Sequence, residues 1–405
     1  MMNSAQLSLF EPVLNAYKEA GELTNEQLYG RLSEKLGLPK EVWAARQPVG
    51  RSGELHNLQR RSVRWVQQTL KAMGLLERSD ARAVWRTTPK AKGLTPAPPR
   101  TFLVAFSTDL GIALWGRCQD VFQRIDEPLH LVLTSPPYPL QRPRAYGNPP
   151  VQEYVDFICN AMEPLVRHLV PGGSVCLNLG NDVFEPGTPA RSLYSEMVVV
   201  AMHTRLGLAL MDRLVWQNFS KAPGPTMWAS RTRQQLNVAW EPVFWFTNDP
   251  KACRSDNRRV LQPHTERHTK LMARGGERRN ATFGDGANRI REGSFGEMTP
   301  GRIPRNVIAV GHRCRSQDEM RALARAEGLP VHSASMPLKL ARFLVEFLSE
   351  PNDLVVDNFA GWFTTAAACE ETGRRWIGSE LMAEHARGGS LRSQFRQASG
   401  FQCSI

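Results

Sequence analysis

Two short segments carry residue types that could do chemistry. One is Ser135-Pro136-Pro137-Tyr138, which follows the apolar run Leu131-Val132-Leu133-Thr134. Consecutive prolines fix φ and remove two backbone donors, which leaves a stiff turn with outward carbonyls. The Ser135 hydroxyl and the Pro136 carbonyl can then accept hydrogen bonds from one external NH2 group, beside the flat ring of Tyr138. That set suits an extruded nucleobase amine. Such an amine is a poor nucleophile because its lone pair is delocalised into the ring. Acceptors at both N–H groups favour a more sp3-like nitrogen and aim its lone pair at an electrophile. This chemistry requires no metal. The second segment is Asp357-Asn358-Phe359-Ala360-Gly361-Trp362-Phe363-Thr364-Thr365, after Leu354-Val355-Val356. Gly361 permits close backbone approach, and Thr364 or Thr365 can cap a following helix. Glu380 closes the next strand, where an acid suits paired ribose hydroxyls.

Both segments follow the end of an apolar, strand-like run. Strands rich in Val and Leu are predicted over 131–134, 174–179, 210–216, 239–247, 353–357 and 375–379. Helices are predicted over 154–170, 197–206, 336–349 and 364–372, with a turn at Pro171-Gly172-Gly173. The alternation argues an α/β protein, a Rossmann-like sheet with helices on both faces. In such sheets ligands sit at the carboxyl ends of the strands.

Ahead of this body, helical spacing covers 8–20, 24–36 and 57–73, followed by two strands around a turn at Ser79-Asp80. Three helices and a hairpin suggest a small winged-helix-like domain over 1–98, with Arg60, Arg61 and Arg64 on its third helix available to DNA. Residues 93–100 read as a Pro-rich linker. The remaining boundaries fall at 99–247 for a catalytic half, 248–331 for an irregular Gly-, Arg- and Asn-rich region, and 332–405 for a cofactor half.

The chain has 405 residues and a net charge of +12. Its 41% hydrophobic and 22% charged content excludes wholesale disorder. Residues 1–100 hold 16 Lys and Arg against 9 Asp and Glu, and residues 251–315 hold 15 against 6. The rest is mildly acidic. Two basic segments on a near-neutral body point to a polyanion, most simply nucleic acid. In the second segment Arg258, Arg259, Arg278, Arg279, Arg302 and Arg305 are candidates for phosphates or base edges. His264 and His268 stand four apart among arginines without a zinc-protease pattern, so phosphate contact is expected there rather than metal. Seven scattered cysteines without a CxxC pair give no zinc framework and fit a reducing cytoplasm. No apolar run reaches the roughly 18 residues of a membrane span, and Glu11, Glu19, Glu22 and Glu26 argue against a secretory signal.

From about 110 to 385 the motif order resembles the β-class DNA amino-methyltransferases. LVLTSPPY resembles their catalytic motif. Tyr146-Gly147, Pro171-Gly172-Gly173 and Asn178-Leu179-Gly180-Asn181 resemble the stretch that follows it. Trp240-Glu241-Pro242 resembles their strand with a conspicuous Glu, and His332 through Pro337-Leu338 the segment before the cofactor strand. DNFAGWFTT with Glu380 resembles the cofactor loop and its ribose acid.

The resemblance implies S-adenosylmethionine as cofactor, with Thr134, Pro337, Asp357, Phe359, Gly361, Thr364, Thr365 and Glu380 around it. Ser135, Pro136, Pro137 and Tyr138 would act on the flipped base, in direct in-line methyl transfer. It also implies double-stranded DNA as substrate, a target-recognition role for 248–331, and a homodimer. Ser-type SPPY occurs in cytosine-N4 and adenine-N6 enzymes. Likeness to solitary bacterial adenine methyltransferases favours adenine N6, with cytosine N4 as the alternative. A non-catalytic DNA-binding regulator is the competing class. The chain departs from the family pattern at Asn358, where Pro is usual, and at Gly361-Trp362-Phe363, where Gly-Ser-Gly is usual. Either the pocket is reshaped by the two rings or cofactor binding is weakened. Gly116-Arg117 replaces a usual Gly-Asp. No nuclease motif is present, so a role in restriction would need a partner.

Overall fold

The computed structural model describes residues 9–49, 54–79, 83–88, 94–140, 148–332 and 334–404. Ten strands form one mixed sheet: β1 Phe102–Ser107, β2 Gly111–Gly116, β3 Leu129–Thr134, β4 Leu169–Asn178, β5 Ala209–Gln217, β6 Trp240–Thr247, β7 Val307–Ala309, β8 Leu354–Asp357, β9 Arg375–Glu380 and β10 Gln402–Cys403. Their order is β7-β5-β6-β4-β3-β8-β9-β2-β1-β10. The centre, from β4 through β3, β8 and β9 to β2, is parallel. β6 runs antiparallel to β4 and to β5.

The central strands show why the sheet is buried on both faces. Leu131 and Leu133 of β3, Val355 of β8 and Cys176 of β4 join one core with helices Leu338–Leu348 and Thr364–Thr372. Val132, Val356, Val175 and Leu177 join the other, with helices Val151–Val166 and Tyr194–Leu206. Successive side chains point to opposite faces, so near-continuous apolar runs are what a doubly covered parallel sheet needs. β3 and β8 are adjacent although far apart in sequence, and both predicted chemical segments leave the same edge of the sheet.

The N-terminal helices run Phe10–Ala20, Asn25–Leu36 and Leu58–Ala72. Thr24 and Gln27 form a reciprocal capping box, and the Asn57 carboxamide oxygen accepts from Arg60 N at 2.7 Å to cap the third helix. The hairpin Leu76–Arg78 with Val84–Thr87 is present, and Glu22–Thr24 adds a third strand. Asp80, half of the predicted turn, lies outside the described residues.

Four expectations change. The PGG segment is not a turn after a long helix: the helix stops at Val166 and Pro171-Gly172-Gly173 lies inside β4. The Asn248 side chain holds this irregular strand start, donating to the Leu169 and Val170 carbonyls and accepting from Gly172 N. The Pro-rich linker is not a free tether. Ala97 N donates to Leu381 O, Ala383 N to Thr95 O, and both the amide and the hydroxyl of Thr95 donate to the Glu384 carboxylate. Phe10 also packs edge-on against Trp115 at 4.9 Å, so both domains share one core. The region 248–331 is not irregular throughout. It holds helices Glu266–Ala273 and Arg315–Ala326, the hairpin Ala281–Phe283 with Asn288–Ile290, and β7. Lastly, neither threonine caps helix Thr364–Thr372, because Phe363 occupies the N-cap and no side chain accepts there.

Candidate active site

The two segments open into one cleft of about 830 Å³. At its base, Thr134 and Thr365 each donate a hydroxyl to Asp357, at 2.7 Å to either carboxylate oxygen, and Phe359 N donates at 3.2 Å. Burial outweighs these bonds and pushes the Asp357 carboxyl up to about 6. Glu380 spends both carboxylate oxygens on backbone amides, Gly361 N and Met382 N, each at 2.8 Å. The turn 358–361 is therefore clamped between the ends of β8 and β9. Gly361 adopts φ 54°, and a Cβ there would fall 3.1 Å from His332 Nε2. Pro337 begins helix Leu338–Leu348 as its N-cap. Its neighbours Ser335 and Met336 line the cleft.

The raised Asp357 pKa has a stability consequence with a definite sign. The unfolded carboxyl ionises near 3.8 while the folded one holds its proton to about 6. Its contribution is full below pH 4 and is lost as pH rises through 6, a loss of about 3 kcal/mol. Asp357→Asn should flatten that part of the pH dependence. The check is the urea midpoint of the cofactor-free protein at pH 5 and pH 7.5; an unchanged slope in the variant would refute the assignment.

Across the cleft, the Ser135 hydroxyl lies 3.2 Å from the Tyr138 hydroxyl and 3.4 Å from both the backbone and side-chain oxygens of Asn178. Tyr138 donates to Glu241 at 3.0 Å, and burial keeps its phenol protonated well above the ordinary range. The Asn148 carboxamide donates to the Tyr138 carbonyl. One face of the Tyr138 ring rests on Gly180, where a Cβ would fall 2.6 Å away. Lys221 pairs with Glu241 at 3.2 Å and with Asp182 at 3.4 Å. Pro136, Pro137, Phe359, Gly361 and Thr364 also line the cleft.

The Trp362 and Phe363 side chains belong to the packing of the loop. Phe363 is fully buried at φ 55°, between Gly378 of β9 and Gly389 of helix Ala383–Ser390. A Cβ on either glycine would come within 2.7 Å of its ring. Trp362 packs the same way on Gly388 and forms a small core with Met320, Ala324 and Leu391. It is also part of the cleft wall, whereas Phe363 is not. Asn358 turns its amide to the Ala161 carbonyl at 3.3 Å. Arg392, buried, donates to Trp362 O at 2.6 Å and to the Thr364 hydroxyl at 2.7 Å.

The predicted DNA-contact arginines separate into two groups. Arg61, Arg64, Arg278, Arg279 and Arg305 are exposed. Arg258 is exposed but chelated by Asp256, and Arg302 donates to Pro263 O at 3.1 Å. Arg60 is committed to Glu26 and lies over Tyr29, and Arg259 binds Glu350 and the Ser349 carbonyl, so both serve packing. His264 Nε2 lies 3.0 Å from the Thr299 hydroxyl, and no group of three His, Cys, Asp or Glu side chains that could hold a metal occurs among the described residues. Tyr146-Gly147 lies outside the described residues.

Sequence reasoning missed the Lys221–Glu241–Asp182 bridge and the loop that carries it. Residues 218–239 hold Lys221, Arg231 and Arg233 and no acid. A charge window of that length would have found them; wider bookkeeping averaged them into the acidic body.

Two carboxylates stand at the ends of adjacent parallel strands, beside a glycine turn, where Rossmann-like sheets bind their ligands. A buried hydroxyl and amide cluster faces them. This defines a Rossmann-like group-transfer enzyme. Sequence comparison takes the assignment to the family: the DNA methylase profile matches residues 129–390, and the chain belongs to that family. Residues 7–96 match the Mrr N-terminal domain. The type II methyltransferase M.PvuII of Proteus hauseri is 32% identical over 291 residues, covering 71% of this chain and 85% of that protein. M.BglII of Bacillus subtilis is 24% identical, covering 64% and 62%. A solved structure titled PvuII DNA methyltransferase, cytosine-N4-specific, superposes with a TM-score of 0.55 at 28% identity, over 72% of this chain and 89% of that one. The protein is thus an S-adenosylmethionine-dependent DNA amino-methyltransferase.

Proposed function

We propose that the chain methylates cytosine N4 within a specific site in duplex DNA. The reading rests on one observation: likeness to a cytosine-N4-specific enzyme runs the length of the catalytic body. Likeness to the DNA adenine methyltransferase YhdJ of Escherichia coli, at 38% identity, extends over only 61 residues. Cytosine N4 therefore replaces adenine N6 as the favoured target.

S-adenosylmethionine, when bound, supplies an electrophilic sulfonium methyl group. Asp357, Phe359, Gly361 and Glu380 would hold it, with Thr134 and Thr365 fixing Asp357, Thr364 buried beside Arg392, and Pro337 starting the helix behind the cleft. The Ser135 hydroxyl and the Pro136 carbonyl accept the amine hydrogens of the flipped base, and Pro137 keeps their turn rigid. Tyr138 offers the base its outer ring face, because the inner face rests on Gly180. Acceptors around the amine favour the positive charge that builds there during transfer. Positioning supplies much of the remaining acceleration.

The region 248–331 would read the target through Arg278, Arg279 and Arg305, while Arg61 and Arg64 of the N-terminal domain grip flanking phosphates. Leu193, Met197 and Val200 expose apolar side chains along helix Tyr194–Leu206, which supports a homodimer. A molar mass of one chain in solution would exclude it. The described residues contain no helix long and apolar enough to cross a membrane, and a cytoplasmic location follows from its substrate. The test of function is base-modification mapping on DNA treated with purified protein and cofactor. N4-methylcytosine at one recurrent sequence is expected; N6-methyladenine would overturn the choice of base.

A further inference from the structure

Extracting a base leaves a gap in the duplex, and something must disfavour its return. Phe219 is a large aromatic side chain with 71% of its surface exposed. Its immediate neighbours Asn218 and Ser220 both line the cleft, as do Lys221 and His312. Its own ring lies outside the cleft, over Gly311, where a Cβ would fall 2.8 Å from Cε2.

The turn that presents it is fixed. Asn218, nearly fully buried, accepts at its side-chain oxygen from Ser220 N at 3.2 Å, the Ser220 hydroxyl at 3.1 Å and His312 N at 3.0 Å. Its backbone amide donates to Ala239 O at 2.8 Å, and the Ser220 hydroxyl accepts from Arg313 N at 2.9 Å. An exposed aromatic ring is normally a cost, and here a buried carboxamide fixes the backbone turn that carries it at the rim. The surrounding loop, 218–239, is basic and free of acids. Other apolar side chains stand out on the same loop, notably Leu236, but none is flanked on both sides by cleft residues.

We infer that Phe219 is the wedge of this enzyme: its ring enters the base stack in the space left by the flipped target, while the exposed Arg231 and Arg233 of the same loop meet the adjoining phosphates. The inference rests on the amine-methylation reading above. Phe219 is a positioning residue. It touches the duplex and not the reacting atoms, so its contribution is the unstacking cost of the target.

The test uses the full-length protein and a duplex carrying the mapped site, with the target either paired normally or placed opposite an abasic position. Phe219→Ala should lower the methylation rate of the paired duplex about tenfold to a hundredfold, since unstacking costs a few kcal/mol. On the abasic duplex the loss should shrink to within about threefold. Phe219→Trp should restore the paired rate, and cofactor binding and thermal melting of both variants should match the parent. An equal loss on both duplexes, or none on the paired one, would overturn the proposal. Failure of the unaltered protein to methylate either duplex would instead sink the methylation reading, and the wedge with it.

Discussion

Tyr138→Ala and Ser135→Ala should each abolish most methyl transfer, by about a hundredfold or more in turnover, while duplex binding stays near the parent value. Ser135 lies in a polar cluster with Asn178 and Tyr138 at the wall of the cleft. Its loss would remove one of the two acceptors proposed for the amine. Removing Tyr138 does two things at once. It deletes the stacking face, and it leaves Glu241 with Lys221 alone. Tyr138→Phe separates the ring from the hydroxyl, because it keeps the stacking face and removes only the hydroxyl's contacts with Glu241, Ser135 and Asn178. An intermediate loss is expected for it. Rapid-quench methylation with duplex binding measured in parallel is the check; normal turnover in both alanine variants would refute the site.

The largest stability effect is expected at Phe363. Its ring is fully buried between two glycines and packs on Phe106 at 5.1 Å. Phe363→Ala should cost about 3–5 kcal/mol as a cavity opens between the sheet and helix Ala383–Ser390. Phe363→Gly removes the same ring but relieves the φ of 55°, so it should be less harmful than alanine by about 1 kcal/mol. Glycine is also favoured over alanine at an N-cap, so both effects act in the same direction. Chemical denaturation of both variants decides it, and alanine proving the milder change would mean that the backbone there is unstrained.

The same loop shows what was legible in the sequence and what was not. The strands ending at Thr134 and Asp357 were readable because each apolar run stops at a segment whose residues have stiff or permissive backbones. Their adjacency was not readable, because an α/β alternation leaves the order of the strands open. The fate of Trp362 and Phe363 was not readable, because it depends on Gly378, Gly388 and Gly389, which meet the rings only in the folded chain. Locally, a bulky residue in place of glycine signals a damaged cradle; in three dimensions it is a core residue with its space provided. The short elements within 248–331 escaped for a related reason. β7 is three residues long and exists because it pairs with β5, and helix Arg315–Ala326 is anchored by Gln317 to the Ser335 and Met336 carbonyls. Among the arginines, sequence gave sign but not commitment. Arg60 and Arg259 match Arg61 and Arg258 in type and neighbourhood, yet two are drawn inward by Glu26 and Glu350.

The shared core between the N-terminal domain and the catalytic sheet bears on inheritance. Modules joined by loose chain can be exchanged between proteins, because a cut exposes little. Here a cut near residue 98 would strip Phe10 from Trp115 and leave Glu384 without the Thr95 amide, hydroxyl and the Lys18 ammonium it now holds. The catalytic portion would carry an apolar wound on its outer surface. Exchange of this domain alone would expose that surface, and a graft from a relative would have to bring the matching surface of β2 and helix Ala383–Ser390 along with it.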